Sequence, residues 1–287
     1  MGTWNLIWQG LASGVVTGCV YALVALSLVI VYKSTDVVNF AGGELVMIGA
    51  YLGLFILLGL EWPYVALFVM VPIGSFVLGG FFTRFSLDKV SGRAMVKHAN
   101  LVPLVVATIA LSYLLKGIVR VIPFTEEVRR LPPLMTGPPI FLGDVVIQQQ
   151  DIAIVLVTTV VMVILWLFFG YTFVGKALRA TSQNIRAAAL LGIPVNLMKL
   201  SVWGLSAAIA GIAGILLAPK LLMTPDMGTV VMLAFAAAII GGFSSLPGCV
   251  VGGIALGILQ NMVGIFISPQ AIAVTPFFVI MLVLLFK

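Results

Sequence analysis

The sequence predicts an all-α protein that crosses a membrane many times. Of its 287 residues, 62% are hydrophobic and only 8% are charged, whereas soluble domains carry roughly 25% charged residues. The apolar residues fall into runs of about 20, the length that a helix needs to cross roughly 30 Å of hydrocarbon. So few charges could not cover a water-facing surface, which excludes a soluble fold of this length. Residues 1–287 are expected to form one polytopic transmembrane domain.

Nine apolar runs are candidate spans and predict eight or nine crossings. Six are clear: 6–32, 64–85, 101–121, 152–169, 197–222 and 248–267. The tail, 271–286, is short, and run 37–60 is long enough but contains Asn39 and Glu44. Run 227–243 ends in glycines, so it either crosses fully or forms one arm of a broken helix.

Glycines recur at short spacing on three of these runs. They are Gly10, Gly14, Gly18, Gly204, Gly211, Gly214, Gly248, Gly252 and Gly253. Small residues at such spacing let neighbouring helix backbones approach closely inside a bilayer. The pattern predicts a tightly packed bundle and says nothing about what the bundle binds.

The basic residues predict the orientation, because lysine and arginine accumulate in cytoplasmic loops. With 85–100 and 171–199 inside, ten of the 15 Lys and Arg residues fall inside, and the amino terminus lies outside. This asymmetry explains the net charge of +6 without nucleic-acid binding. Lys116 and Arg120 lie near the outer end of their span, where their side chains are expected to snorkel to the headgroups.

The longest segment predicted outside the membrane is 122–151, which is rich in proline and glycine. Near its end, Val145, Val146 and Ile147 form a short apolar run. Turn-forming residues beside such a run predict a structured lid or short hairpin over the outer mouth. The segment is too small for a separate domain.

Segment 171–199 joins two spans and carries no acidic residue; its basic residues are Lys176, Arg179, Arg186 and Lys199. A helix over 176–191, at about 100° per residue, places four polar residues on one face. They are Lys176, Arg179, Gln183 and Arg186. Gly192 and Pro194 mark its end. Such a helix either lies on anionic headgroups or docks a soluble partner.

Motifs for catalysis or nucleotide binding are not favoured. Residues 170–176 read G-x-x-x-x-G-K, but Ala177 stands where a phosphate-binding loop needs Ser or Thr, and a membrane span precedes the motif. The single histidine, His98, falls in a basic loop. An intramembrane enzyme is therefore not expected. Cys19 and Cys249 both lie inside apolar runs and do not predict a disulfide framework.

Residues 36–44 form the most informative polar cluster. If a helix begins near Val37, Glu44 lies roughly 10 Å along it. A carboxylate at the bilayer centre costs about 2.5–3.5 kcal/mol, so Glu44 is expected to face the bundle interior, a partner or a water-filled path. Two interpretations stay open. Either Asp36 or Asn39 caps a short helix and Glu44 is structural, or Glu44 contacts a transported solute directly.

A second interrupted segment is 241–248, with the sequence GGFSSLPG. Irregular backbone at membrane depth is tolerated only where protein or a cavity covers it. Two interrupted segments in opposite halves of a chain are typical of an inverted repeat around a central path.

Several segments together resemble the branched-chain amino acid permease family. They are 21–26 (YALVAL), 39–44 (NFAGGE), 47–51 (MIGAY), 175–180 (GKALRA), 188–193 (AALLGI) and 241–248 (GGFSSLPG) with Gly252 and Gly253. The resemblance extends over nearly the whole chain. This family supplies the membrane subunits of bacterial ATP-binding-cassette (ABC) importers.

The resemblance implies a multi-pass subunit of the bacterial cytoplasmic (inner) membrane that transports rather than catalyses. Its expected partners are a homologous permease, identical or different, two ATPase subunits and a periplasmic or extracellular binding protein. No cofactor is expected on this chain, since ATP and Mg²⁺ belong to the ATPase. The implied path or gate residues are Tyr21, Asn39, Gly43, Glu44, Tyr51, Gly241, Gly242 and Ser244. The implied ATPase-coupling residues are Lys176, Arg179, Gln183, Arg186, Leu190 and Gly192.

The cargo stays open among leucine-type amino acids, urea, amides and aromatic acids, because the family often has His or Gln where Gly42 stands. The alternative function is an ion-coupled secondary transporter or a passive channel. Ion-coupled carriers generally place charged residues in several spans, whereas Glu44 is the only strong candidate here.

Overall fold

The computed structural model describes residues 3–87, 102–122, 129–143, 145–243 and 245–286. This part of the chain is mostly α-helical, with one short β-hairpin. The predicted basic loop lies outside the described residues from position 88 onward, and so do His98, Ser244 and Lys287.

Eleven α-helices are present in the described ranges. They are α1 (Thr3–Thr35), α2 (Gly42–Leu54), α3 (Tyr64–Phe82), α4 (Val102–Val121), α5 (Gln149–Tyr171), α6 (Phe173–Gln183), α7 (Ile185–Leu190), α8 (Val195–Leu217), α9 (Val230–Gly241), α10 (Leu246–Phe266) and α11 (Ala271–Phe286). A π-helical turn, Phe55–Gly59, extends α2, and a 3₁₀ turn, Met227–Thr229, precedes α9.

The chain is a polytopic helical membrane protein, as predicted. Within the described residues, seven helices are long and apolar enough to cross a membrane. Two shorter apolar helices, Met227–Gly241 and Ala271–Leu285, accompany them. Each of the nine predicted runs overlaps one of these helices.

By its internal packing the chain divides into two compact units. The first comprises residues 1–29, 132–160 and 230–287, and the second comprises 30–131 and 161–229. The first unit holds most of α1 together with the hairpin and α9 to α11; the second holds α2 to α4 and α6 to α8. The single domain predicted over the whole chain and the inverted repeat stay predictions.

In the first unit, α1 and α10 pack backbone to backbone along a seam of glycines. A Cβ atom added to Gly14 would lie 2.6 Å from the Cα atom of Ile258, and one on Gly18 would lie 2.6 Å from the Cα atom of Ile254. Helices approach this closely only where side chains are absent. The predicted close packing is confirmed here.

In the second unit, α8 packs in the same way against α2 and α3. A Cβ atom on Gly214 would collide with the carbonyl oxygen of Val46 and lie 2.9 Å from the amide nitrogen of Ala50. On α3, a Cβ atom on Gly79 would lie 2.6 Å from the carbonyl oxygen of Trp203. The helix α8 is therefore the centre about which α2 and α3 are packed.

The predicted hairpin is present in segment 122–151. Its strands, β1 (Ile140–Leu142) and β2 (Val145–Ile147), pair antiparallel. Gln9 of α1 holds β2 by two hydrogen bonds: its amide donates to the Val146 carbonyl at 3.0 Å, and the Val146 N–H donates to Gln9 Oε1 at 2.9 Å. These bonds attach the hairpin to α1, while its role as a lid stays a prediction.

Replacing Gln9 with Ala is expected to loosen the hairpin without unfolding the protein. The change removes both bonds to Val146, and each such bond contributes about 0.5–1.5 kcal/mol net. Hydrogen exchange followed by mass spectrometry should show amide exchange in Val145–Ile147 several-fold faster in Q9A. Q9E keeps the acceptor oxygen and should fall between the two. Equal exchange in Q9A and the unaltered protein would show that this contact does not hold the hairpin.

Candidate functional site

The turn between α1 and α2 begins at Asp36. The Asp36 N–H donates to the Tyr32 carbonyl at 2.8 Å, and its φ of 52° lies in the left-handed region. Asp tolerates this conformation better than most residues, and helices commonly end at such a position. Asp36 therefore ends α1, and the expectation that it caps the following helix is wrong.

The helix α2 begins at Gly42 rather than near Val37, so Glu44 lies in its first turn and not about 10 Å along it. Asn39 is the physical reason. Its side-chain Oδ1 accepts the Ala41 N–H at 3.0 Å, which orders a turn before the helix. No side chain caps the first turn itself, so the expectation that Asn39 is its cap is also wrong.

Thr108 of α4 attaches this turn to its neighbour in the second unit. The Phe40 N–H donates to the Thr108 hydroxyl at 3.3 Å, and that hydroxyl lies 2.8 Å from the Val105 carbonyl, to which it donates. A polar contact within apolar sequence thus sets where α2 starts relative to α4.

Glu44 is a buried carboxylate with an ionic partner. Its side chain is 4% exposed, and Oε1 lies 3.4 Å from Nζ of Lys116 on α4. The other oxygen, Oε2, is buried and has no hydrogen-bond partner among the described residues. Its position in the first turn of α2 is favourable, because the amino end of a helix attracts negative charge.

Two further charges continue the pair. Asp226 Oδ1 lies 3.9 Å from Nζ of Lys116 and 3.5 Å from Nη2 of Arg120. Lys116 and Arg120 are four residues apart on α4 and share one face. We call Glu44, Lys116, Asp226 and Arg120 the charge array; its signs alternate along these contacts. Glu44 provides Lys116 with a counterion inside the protein, while the snorkelling of Lys116 and Arg120 to the headgroups stays a prediction.

The segment after α8 closes over Glu44. A Cβ atom on Gly228 would lie 3.0 Å from Glu44 Oε1 and 3.1 Å from the Gly43 carbonyl carbon. Earlier in this segment, the Met223 N–H donates to the Arg129 carbonyl at 2.9 Å. This segment therefore holds Asp226 between two contacts to the rest of its unit.

The remaining predicted path residues divide between the units. Tyr51 lies seven residues after Glu44 on α2, so both point to one face, and its buried hydroxyl has no partner in the described part of the chain. Tyr21 is buried in α1 of the first unit. In that unit, α9 ends at Gly241, and Gly242 has a φ of 84°. The predicted break there is confirmed; the transport roles of all these residues stay predictions.

The basic segment is not one continuous helix, contrary to the expectation for 176–191. Asn184 separates α6 from α7, with φ −154° and ψ 100°. Its side-chain oxygen accepts the Ala187 N–H at 3.0 Å, so it caps α7. Asn is among the strongest residues at this position. Arg186 therefore does not continue the face shared by Lys176 and Arg179.

All six predicted coupling residues are nevertheless exposed: Lys176, Arg179, Gln183, Arg186, Leu190 and Gly192. The end of the segment is as predicted, because α7 stops at Leu190 and Gly192 follows with a φ of 81°. Leu190 and Leu191 are 89% and 81% exposed. The segment thus presents bases and large apolar side chains together.

Comparison with known proteins places these features in a family. The profile described as branched-chain amino acid transport system / permease component matches residues 10–286. The chain belongs to this family. The permease is 31% identical over 290 residues to BraD of Pseudomonas aeruginosa, named a high-affinity branched-chain amino acid transport system permease protein, covering 97% of this chain and 93% of that protein. It is also 31% identical to LivH of Escherichia coli K12, a protein with the same description, covering 96% and 92%.

One solved structure shares the fold of the permease. A chain of PsaBC from Streptococcus pneumoniae, solved in complex with Fab, matches with a TM-score of 0.50 and 14% identity. The match covers 97% of this permease and 90% of that chain. At this identity the likeness concerns the fold alone.

Sequence reasoning missed three members of the charge array in the permease: Lys116, Arg120 and Asp226. A usable signal was present. Lys116 lies within an apolar span, where a charge needs a counterion, and Glu44 is the acidic residue within another predicted span. Matching these two would have predicted the ion pair.

Proposed function

We propose that this chain is the membrane-spanning permease subunit of an ABC importer that moves branched-chain or related amino acids delivered by an external binding protein. The observation that carries the proposal is the family match over residues 10–286. Relatives named for high-affinity branched-chain amino acid transport, which align along nearly their whole length, support the choice of cargo over urea, amides or aromatic acids.

In this proposal the permease works in the bacterial cytoplasmic membrane with several partners. It pairs with a homologous or identical permease, two ATPase subunits and a periplasmic or extracellular binding protein. ATP and Mg²⁺ are bound by the ATPase, and this chain holds no cofactor. Glu44, the acid that a coupled ion would need, is already paired with Lys116, which disfavours an ion-driven carrier.

Reconstituted transport tests the function. Vesicles containing the permease, its partner permease, the ATPase and a leucine-loaded binding protein should accumulate labelled leucine only when ATP reaches the ATPase. Omitting ATP, or omitting the ATPase, should abolish accumulation. Leucine entry that is equal without ATP would instead indicate a channel, and entry that follows an imposed ion gradient would indicate a secondary transporter.

The surface formed by α6 and α7 is the proposed docking site for the ATPase. It is exposed, basic through Lys176, Arg179 and Arg186, and carries the exposed pair Leu190 and Leu191. Interfaces commonly combine apolar anchors with arginines that pair with acidic or carbonyl groups. Attachment to anionic headgroups is the competing use of this surface.

Replacing both Arg179 and Arg186 with Glu should uncouple ATP hydrolysis from transport. Reversed charge would oppose acidic groups on the ATPase, and like-charge contacts across an interface cost several kcal/mol. We expect leucine uptake to fall at least tenfold while the ATPase still hydrolyses ATP. The matched control is K33E, which reverses an exposed base at the end of α1 and should leave uptake unchanged. Normal uptake in R179E/R186E would refute the docking role.

A further inference from the structure

At the buried end of the charge array, the ionic contacts are long and one carboxylate oxygen lacks a hydrogen-bond donor. Lys116 Nζ lies 3.4 Å from Glu44 and 3.9 Å from Asp226, whereas a charge-assisted hydrogen bond measures about 2.7–2.9 Å. Glu44 Oε2 has no partner within the described ranges. A buried acceptor without a partner is costly. The ionic contacts are therefore loose, and one oxygen of a nearly fully buried carboxylate is available to a donor.

A second buried polar group near the start of α2, the side-chain amide of Asn39, also lacks a hydrogen-bond partner. Asn39 is 1% exposed, and its Oδ1 is used by the Ala41 N–H. Its Nδ2, however, has no partner among the residues that the structure describes. Residues 39–44 thus carry an unsatisfied donor and an unsatisfied acceptor, as expected of a polar ligand site rather than of a closed core.

We propose that the charge array is a transient binding subsite for a zwitterion. The ammonium group of an α-amino acid bonds to Glu44, and its carboxylate bonds to Lys116, with Arg120 one turn away on the same face of α4. The ligand enters the loose pair and replaces one ion pair with two. This inference rests on the proposed function, and it names the charge pattern that the permease requires of its cargo.

Charge balance explains why a zwitterion suits this site. Glu44 and Lys116 cancel, so inserting a ligand with one charge of each sign leaves the buried site neutral. A monoanion or a monocation would leave a net charge in a site of low dielectric, where an unpaired charge is costly. An uncharged amide or urea would separate Glu44 from Lys116 without giving either side chain a new ionic partner. Among the solutes that the family resemblance left open, the site thus favours α-amino acids over urea, amides and aromatic acids that carry a single charge.

The charge array has an exposed rim, formed by Asp226 and Arg120, and a buried end at Glu44. Asp226 and Arg120 are mostly exposed and hold each other at 3.5 Å, while Glu44 is buried. A ligand that approaches from the exposed end meets Arg120 and Asp226 before it reaches Lys116 and Glu44. Each of these two pairs contains one acid and one base, so each offers an ionic partner to both charged groups of a zwitterion.

Two double variants of the complete transporter test the subsite. E44Q/K116M removes both charges with little change of shape, and E44K/K116E keeps an ion pair but reverses its polarity. Uptake of labelled L-leucine is measured with saturating loaded binding protein and ATP. We expect both variants to transport at least tenfold more slowly, because neither matches the leucine charges in the original orientation. K33Q, an exposed base outside the array, is the control and should transport normally.

The outcomes separate the possible explanations. Uptake at the normal rate in E44Q/K116M would overturn the subsite. Full recovery in E44K/K116E would also overturn it, because the pair would then act only as a structural latch. If either variant fails to assemble, R120Q/D226N at the exposed rim decides; at least threefold slower uptake is expected, and unchanged uptake overturns the proposal. Absence of ATP-driven leucine uptake in the unaltered transporter would refute the proposed function instead.

Discussion

Gly214→Leu is expected to yield almost no folded permease. The added Cβ atom alone would collide with the carbonyl oxygen of Val46 and lie 2.9 Å from the amide nitrogen of Ala50. Both atoms belong to the backbone of α2, so no rotamer change can relieve the clash. Overpacking a core typically costs 1–3 kcal/mol where side chains can move, and the cost here is expected to exceed about 3 kcal/mol.

The yield of monodisperse protein in size-exclusion chromatography measures this effect, and a fall of at least tenfold is expected. Gly117→Leu is the matched control, because a Cβ atom on Gly117 meets nothing within 4 Å. Leucine also favours a helix more than glycine by somewhat under 1 kcal/mol. G117L should therefore fold at least as well as the unaltered protein. Normal yield of G214L would mean that α2 and α8 are not packed backbone to backbone.

The second large effect is expected for Lys116→Met. Removing the ammonium leaves the buried Glu44 carboxylate without its partner, and breaking a buried ion pair in this way costs about 3–5 kcal/mol. Because Lys116 keeps 24% of its side chain exposed, we expect a smaller loss than for a fully buried pair, about 2–3 kcal/mol. The thermal unfolding midpoint of purified protein should fall clearly.

Stability should largely return in E44Q/K116M, which removes both charges together. The double-mutant cycle over E44Q, K116M and their combination isolates the pair term. A midpoint in E44Q/K116M as low as in K116M would show that Lys116 stabilises through packing of its aliphatic stem and not through Glu44. This measurement uses unfolding alone and is independent of any transported solute.

Local sequence patterns were sufficient to predict most of the helices, their close contacts and the hairpin. Apolar runs of about 20 residues located the nine apolar helices found in the described part of the chain, because the thickness of the bilayer imposes their length. Glycine spacing predicted close helix contacts, and the structure shows them at Gly14, Gly18 and Gly214. The hairpin and the end of α7 just before Gly192 followed from turn chemistry, which depends on a few adjacent residues.

The same patterns predicted helix boundaries wrongly where a hydrogen bond made by a single side chain ends or delays a helix. Helical periodicity continues across Asn184, but its side chain caps a new helix there, and periodicity is insensitive to a single cap. Hydropathy likewise continues from Val37 into α2, although Asn39 bonds to the Ala41 N–H and delays the helix. The pair of Glu44 and Lys116 joins residues distant in sequence, which no local window contains.

The glycine seams have a mechanical consequence. Helices that meet through interlocked side chains must lift those side chains out of their holes before one helix can slide past another. Where α1 meets α10, and where α8 meets α2, bare backbone forms much of the contact. Such surfaces are smooth, so small shifts along or around the helix axis need few rotamer changes. Helices packed in this way can lie close together and still slide past one another with few side-chain rearrangements.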